Sequence, residues 1–190
     1  ILLDSLGVSS AHIVGLSRGA GVASDFAVRW PERVKSVVLY GFGPTPDFPL
    51  PPELRDGPPF GAIARAHALD SLKQWLAASP LAWEPANRPD IKAKLDPIIA
   101  AYDGRDLLDA RPPSGRVQPA TLDQVSRLRI PALVLHGDHD MPLLQAVADS
   151  LMRRMPGAKR VVIANAGHGA HLHQPDEFNR EVLAFLAAVP

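Results

Sequence analysis

The chain has 190 residues, 46% of them hydrophobic, and its twenty basic residues balance twenty acidic ones. That is enough for one domain with a real core, or a core plus a small lid, and the charge balance leaves no electrostatic footprint for nucleic acid or an anionic membrane. The absence of cysteine excludes disulfides and thiolate metal sites, and no window nears the roughly eighteen unbroken apolar residues of a membrane span.

The opening ILLDSLGVSS reads as the tail of an amphipathic helix stopped at Gly7. Its first residue is Ile1, so the expected whole is a longer protein of which this is the C-terminal part. A cytoplasmic location is the expectation, open to revision because any signal peptide would lie upstream. The next runs, over 11–15 and 36–40, are almost continuously apolar, as are 132–136 and 160–163. That is how strands buried on both faces of a parallel sheet read. A helical pattern over 19–30 follows the first run and ends at Pro31. Another, on Leu144, Val147, Leu151 and Met155, follows the third. A last one, on Phe178, Val182, Phe185, Leu186 and Val189, begins near Pro175. Strands alternating with helices predict an α/β fold with right-handed crossovers.

The alternation breaks once, between Gly43 and Ile130, where fourteen of the twenty prolines fall. Two helical patterns survive there, one on Leu69, Leu72, Trp75 and Leu76, the other on Ile91, Leu95, Ile98 and Tyr102. A structureless loop of this length is improbable in a compact domain. The expected organisation is therefore a core of 1–43 with 130–190, and a helical cap over 44–129. The competing reading is a disordered proline-rich linker.

The stretch HIVGLSRGAG carries the chemistry. A strand ends at Gly15, Ser17 sits in a Gly15-Leu16-Ser17-Arg18-Gly19 turn, and a helix follows. Strand, G-x-S-x-G, helix is the pattern of a nucleophile elbow. The serine must project from a tight turn, so Gly15 and Gly19 are expected to let strand and helix approach. The Arg18 backbone N–H, at the helix start, would donate to a developing oxyanion. Ser17 could also be an ordinary turn serine. The partners decide: LVLHGDHDMP carries Asp138 and Asp140, and VVIANAGHGAH carries His168, in the chain order acid then histidine.

These residues, with Pro31-Glu32-Arg33-Val34 and the step from Gln174 to Phe178, resemble the α/β-hydrolase superfamily, near its lactonase, esterase and carbon–carbon-bond hydrolase branches. The resemblance covers the sheet half well and the cap loosely. It implies the last four strands of an eight-stranded sheet. It implies Ser17 as nucleophile, His168 as base, and Asp140, three residues after the glycine ending its strand, as the acid that fixes the imidazole. Asp138 is then expected to cap the helix starting near Pro142. Another acid position of such proteins, after the second strand, reads Gly41-Phe42-Gly43-Pro44 and has no carboxylate.

His168, His171 and His173 with Asp138 and His139 also spell a possible metal cluster, but His171 and His173 fall where the family has a loop, and no cofactor or metal is expected. Trp75, Trp83, Phe48 and Phe60 read as a pocket lining or as the cap's own core. The expected activity is hydrolysis of a carboxylic ester or lactone through an acyl-enzyme, on a small apolar substrate. The alternatives are carbon–carbon hydrolysis by the same triad, and a non-catalytic ligand- or partner-binding fragment of the fold.

Overall fold

A computed structural model describes residues 2–50, 69–78, 88–104 and 118–189. It divides into two compact units, Ile1–Pro49 with Pro119–Pro190, and Leu50–Gln118.

The first unit is a parallel sheet between helices. Helix α1 (Leu2–Ser5) ends before Gly7, which takes φ 66°. Arg33 fastens this segment down, donating to Asp4, to the Ser9 carbonyl and to the Val8 carbonyl at 2.7, 2.6 and 3.1 Å. Strand β1 (Ala11–Leu16) leads into α2 (Arg18–Arg29), then β2 (Val34–Tyr40). After the insertion come α5 (Leu122–Ser126), β3 (Ala132–Gly137), α6 (Pro142–Arg154) and β4 (Lys159–Ile163). The short α7 (Ala170–His173) and the longer α8 (Pro175–Ala187) close the chain. The strands pair in the order β1-β2-β3-β4, each parallel to its neighbour.

Alternation along β2 sorts the core into two faces. Val37 and Leu39 join Val134, Val147 and Leu151, and Ala20, Ala23 and Ala27 of α2. Their small side chains let that helix lie close to the strands. Val38 and Tyr40 face the other way, onto Leu133, Leu135, Ile163, Val182 and Phe185. Burying one such large apolar side chain contributes about 1.5–3 kcal/mol.

Burial on both faces, expected of all four strands, holds for β2 and β3 only. Strands β1 and β4 are the edges of this sheet, and Val14 and Val162 are 50% and 43% exposed. Helix α5 lies in a stretch where sequence periodicity gave no helix. Its Leu122 and Val125 are fully buried in the first core face. It starts at a reciprocal capping box, with Thr121 accepting from the Gln124 N–H at 3.2 Å and Gln124 accepting from the Thr121 N–H at 2.9 Å.

The second unit contains, among its described residues, α3 (Leu69–Ala78) and α4 (Pro89–Ala101). Both match the expected helical patterns. Leu72 and Ile91 are buried, whereas Ile98 is exposed. Lys73 donates to the Ala100 carbonyl at 2.6 Å and ties the pair together. Phe60 and Trp83, and the side chain of Trp75, lie outside the described residues. Phe48 packs against the sheet core.

Candidate active site

Ser17 follows β1 and precedes α2, with φ 54° and ψ −117°. A non-glycine residue rarely adopts this conformation, and it costs on the order of 1–3 kcal/mol. The turn is held from two sides. The Ser17 N–H donates to the Tyr40 carbonyl at 2.8 Å, and its own carbonyl accepts from Ala20 and Gly21. Arg18 is the first residue of α2, so its N–H lies at the electropositive helix end.

Gly15 is where helix meets strand: a Cβ there would collide with the Gly19 carbonyl and the Ala20 Cα. The expectation that Gly19 also had to lack a side chain is not met. A Cβ on Gly19 would meet nothing within 4 Å. The close approach is to the Gly19 backbone, so only Gly15 has to be bare.

The two aspartates after β3 part company. Asp140 is 3% exposed, and His168 Nδ1 lies 3.2 and 3.3 Å from its two carboxylate oxygens. One of those oxygens also accepts the Met141 N–H at 2.8 Å. Facing a carboxylate, Nδ1 carries the proton, which leaves Nε2 as the ring's acceptor.

Asp138 turns elsewhere. It accepts the Ala166 N–H at 3.0 Å and pairs with His139 at 2.9 Å. Burial works to raise its pKa, but the Ala166 and Asn165 N–H groups and His139 outweigh it, and the carboxyl sits below its ordinary value. The expected cap on the helix at Pro142 is absent: α6 has Met141 at its N-cap position and no side-chain cap bond. Asp138 instead fastens the loop after β4 to the loop after β3.

The loop carrying His168 is fixed in several ways that sequence reasoning missed. Gly41 takes φ 56°, and a Cβ there would lie 2.7 Å from His168 Cε1 and 2.9 Å from Nδ1. The imidazole therefore rests on a bare Cα, in the 41–44 segment after β2 that carries no carboxylate. Gln145 of α6 donates to the Asp140 carbonyl at 2.6 Å. His173 Nδ1 accepts the Gly167 N–H at 2.9 Å. Tyr40 donates its hydroxyl to the His168 carbonyl at 2.5 Å. The Tyr40 and Gly41 contacts join segments more than a hundred residues apart, and no local pattern announces them.

His171 and His173 lie in α7, not in the loop the resemblance implied. Burial, and then the neighbouring His168, hold His171 below the ordinary histidine pKa, so its ring favours the neutral form. Among the described residues no group of three or more histidine, aspartate or glutamate side chains is arranged to hold a metal ion. None of the described helices is long and apolar enough to cross a membrane.

The Ser17 turn after β1, the Asp140 loop after β3 and the His168 loop after β4 all follow the C-terminal ends of parallel strands, the edge where open α/β sheets bind ligands. The chain matches the Alpha/beta hydrolase family over residues 1–181, and it belongs to that family. It is 30% identical over 189 residues to a 2-hydroxy-6-oxononadienedioate/2-hydroxy-6-oxononatrienedioate hydrolase of Burkholderia vietnamiensis, covering 97% of this chain and 65% of that protein. It is 28% identical to the carboxylesterase YbfK of Bacillus subtilis, covering 97% of this chain and 60% of that one. The chain thus spans just under two thirds of the length of these relatives. The fold is shared with the enol-lactonase of Burkholderia xenovorans LB400, at a TM-score of 0.74 and 23% identity over 98% of this chain and 69% of the other. It is also shared with Est816, an N-acyl homoserine lactone degrading enzyme, at 0.72 and 26% over 97% and 70%.

Proposed function

We propose that the protein is a serine hydrolase that cleaves a carboxylic ester or lactone through an acyl-enzyme. Ser17 Oγ attacks the carbonyl carbon. His168 Nε2 takes the hydroxyl proton and returns it to the leaving alcohol. Asp140, in contact with Nδ1, keeps the ring in that tautomer and stabilises its cation. The Arg18 N–H receives the oxyanion. Water then repeats the cycle on the acyl-serine. The observation that carries this reading is the buried Asp140 against His168 Nδ1, and the Ser17 held at positive φ in the turn after β1 supports it.

A second reading has a specific support. The relative at 30% identity is named for a 6-oxo-dienedioate. An acid of that constitution has no ester bond to hydrolyse, so its hydrolysis breaks a carbon–carbon bond beside the ketone. The same three side chains serve both reactions, and substrate shape decides.

A fluorophosphonate probe tests the common core. Labelling is expected on Ser17, located by peptide mapping, and is expected to vanish in Ser17→Ala. Labelling elsewhere, or none, removes the serine-hydrolase reading and favours a non-catalytic member of the family. Turnover of an aryl acetate against cleavage of a 2-hydroxy-6-oxo-dienoate then separates the two reactions.

A further inference from the structure

Tyr40 ends β2 with its side chain buried, only 2% exposed. For packing alone a phenylalanine would serve, since the ring lies against Phe178 at 5.1 Å and edge-on to His171 at 5.8 Å between centroids. Packing does not account for where the polar atoms go. The Tyr40 carbonyl accepts the Ser17 N–H at 2.8 Å. Its hydroxyl donates to the His168 carbonyl at 2.5 Å and accepts the His171 backbone N–H at 3.3 Å. His171 Nδ1 lies 3.2 Å from the same oxygen. With the hydroxyl proton committed to His168, that nitrogen must donate, which fixes the His171 tautomer. Gly41, the next residue, carries the His168 ring on its Cα.

We infer that Tyr40 is a positioning residue that sets the placement of the base relative to the nucleophile, because one residue holds the backbone of both. The inference rests on the reading of Ser17 and His168 as nucleophile and base. Burial pushes the phenol pKa up, so the hydroxyl remains a neutral donor and the tie does not switch off with pH. Removing the hydroxyl leaves the His168 carbonyl and the His171 N–H short of a partner. The loop can then shift by a fraction of an ångström, and misplacement on that scale lowers a proton-transfer rate without touching substrate contacts.

Tyr40→Phe is near-isosteric and deletes the hydroxyl alone. For an aryl acetate, kcat is expected to fall about tenfold with KM within about twofold. The low-field proton resonance of the His168 Nδ1–H facing Asp140, identified by its loss in Asp140→Asn, is expected to broaden or vanish in Tyr40→Phe. Phe178→Ala loosens the packing around the ring but spares the hydroxyl, and should leave kcat within about twofold. An unchanged kcat and an unchanged resonance in Tyr40→Phe would overturn the inference. So would an equal fall of kcat in Phe178→Ala, which would reduce Tyr40 to general packing. If the wild type neither turns over ester nor labels at Ser17, the nucleophile assignment fails instead. The resonance in Tyr40→Phe still reports the tie by itself.

Discussion

Ser17 occupies a backbone region where glycine is at ease and serine is not. The chain bears that strain at one residue, and the hydrogen bonds it gives to the Tyr40 carbonyl and accepts from Ala20 and Gly21 hold it there. Ser17→Gly should therefore give a more stable and chemically inert protein. Relieving about 1 kcal/mol of strain corresponds to a rise of roughly 2–4 °C in Tm for a chain of this size. Calorimetry of Ser17→Gly against Ser17→Ala checks this, since alanine removes the hydroxyl but keeps the strain. Equal Tm values for the two would show that the turn is not strained. The positive-φ turn at Ser17 and the pairing of Asp140 with His168 were legible in the sequence, because the G-x-S-x-G step and the later acid-then-histidine order mark them. Tyr40, Gly41 and Gln145 were not. Their roles exist only once β2, α6 and the His168 loop have been brought together.

At the scale of elements, two carboxylates hold the returning arm of the insertion, over 120–123. Asp25 of α2 accepts the Ala120 N–H at 2.6 Å. Asp47 accepts the Leu122 and Asp123 N–H groups at 2.6 and 3.3 Å, and the Thr45 hydroxyl at 2.8 Å. Partial burial works to raise the Asp47 pKa, but the Leu122 N–H, the Thr45 hydroxyl and the Asp123 N–H outweigh it, and the net change is downward. A folded-state pKa below the unfolded one stabilises above the ordinary carboxylate range, near 3.9, and the contribution is lost as pH falls through the folded value. Asp47→Asn should lower stability at neutral pH and flatten its decline below about pH 4, read from urea midpoints across that range. A parallel acid limb in the variant would show that Asp47 does not contribute. Helix α5, which these bonds hold, was legible in principle. Five residues are too few for periodicity, but the Thr121–Gln124 capping box marks its start. The edge exposure of β1 and β4 was not legible, because it depends on which strands lie alongside, and composition is silent on that.

Across the whole molecule, the sheet order equals the chain order, yet its connections differ greatly in length. Strands β1 and β2 are joined through one α-helix, and so are β3 and β4, while β2 and β3 are neighbours separated by everything from Gly41 to Pro131. Closing the long connection costs more chain entropy than closing either short one, and pairings distant in sequence form slowly. The chain should therefore assemble as two βαβ halves that meet last along Val37–Tyr40 and Ala132–Leu135. Ser17 belongs to the first half, and Asp140 and His168 to the second. Reactivity would then be the final property acquired during refolding. Secondary structure should return first by stopped-flow circular dichroism, and probe labelling of Ser17 should lag behind it. Labelling that returns in step with the earliest circular dichroism signal would mean the halves meet early. If they do meet last, an interval exists in every molecule's life when the Ser17 turn is already formed and the strands that carry Asp140 and His168 have not yet joined it.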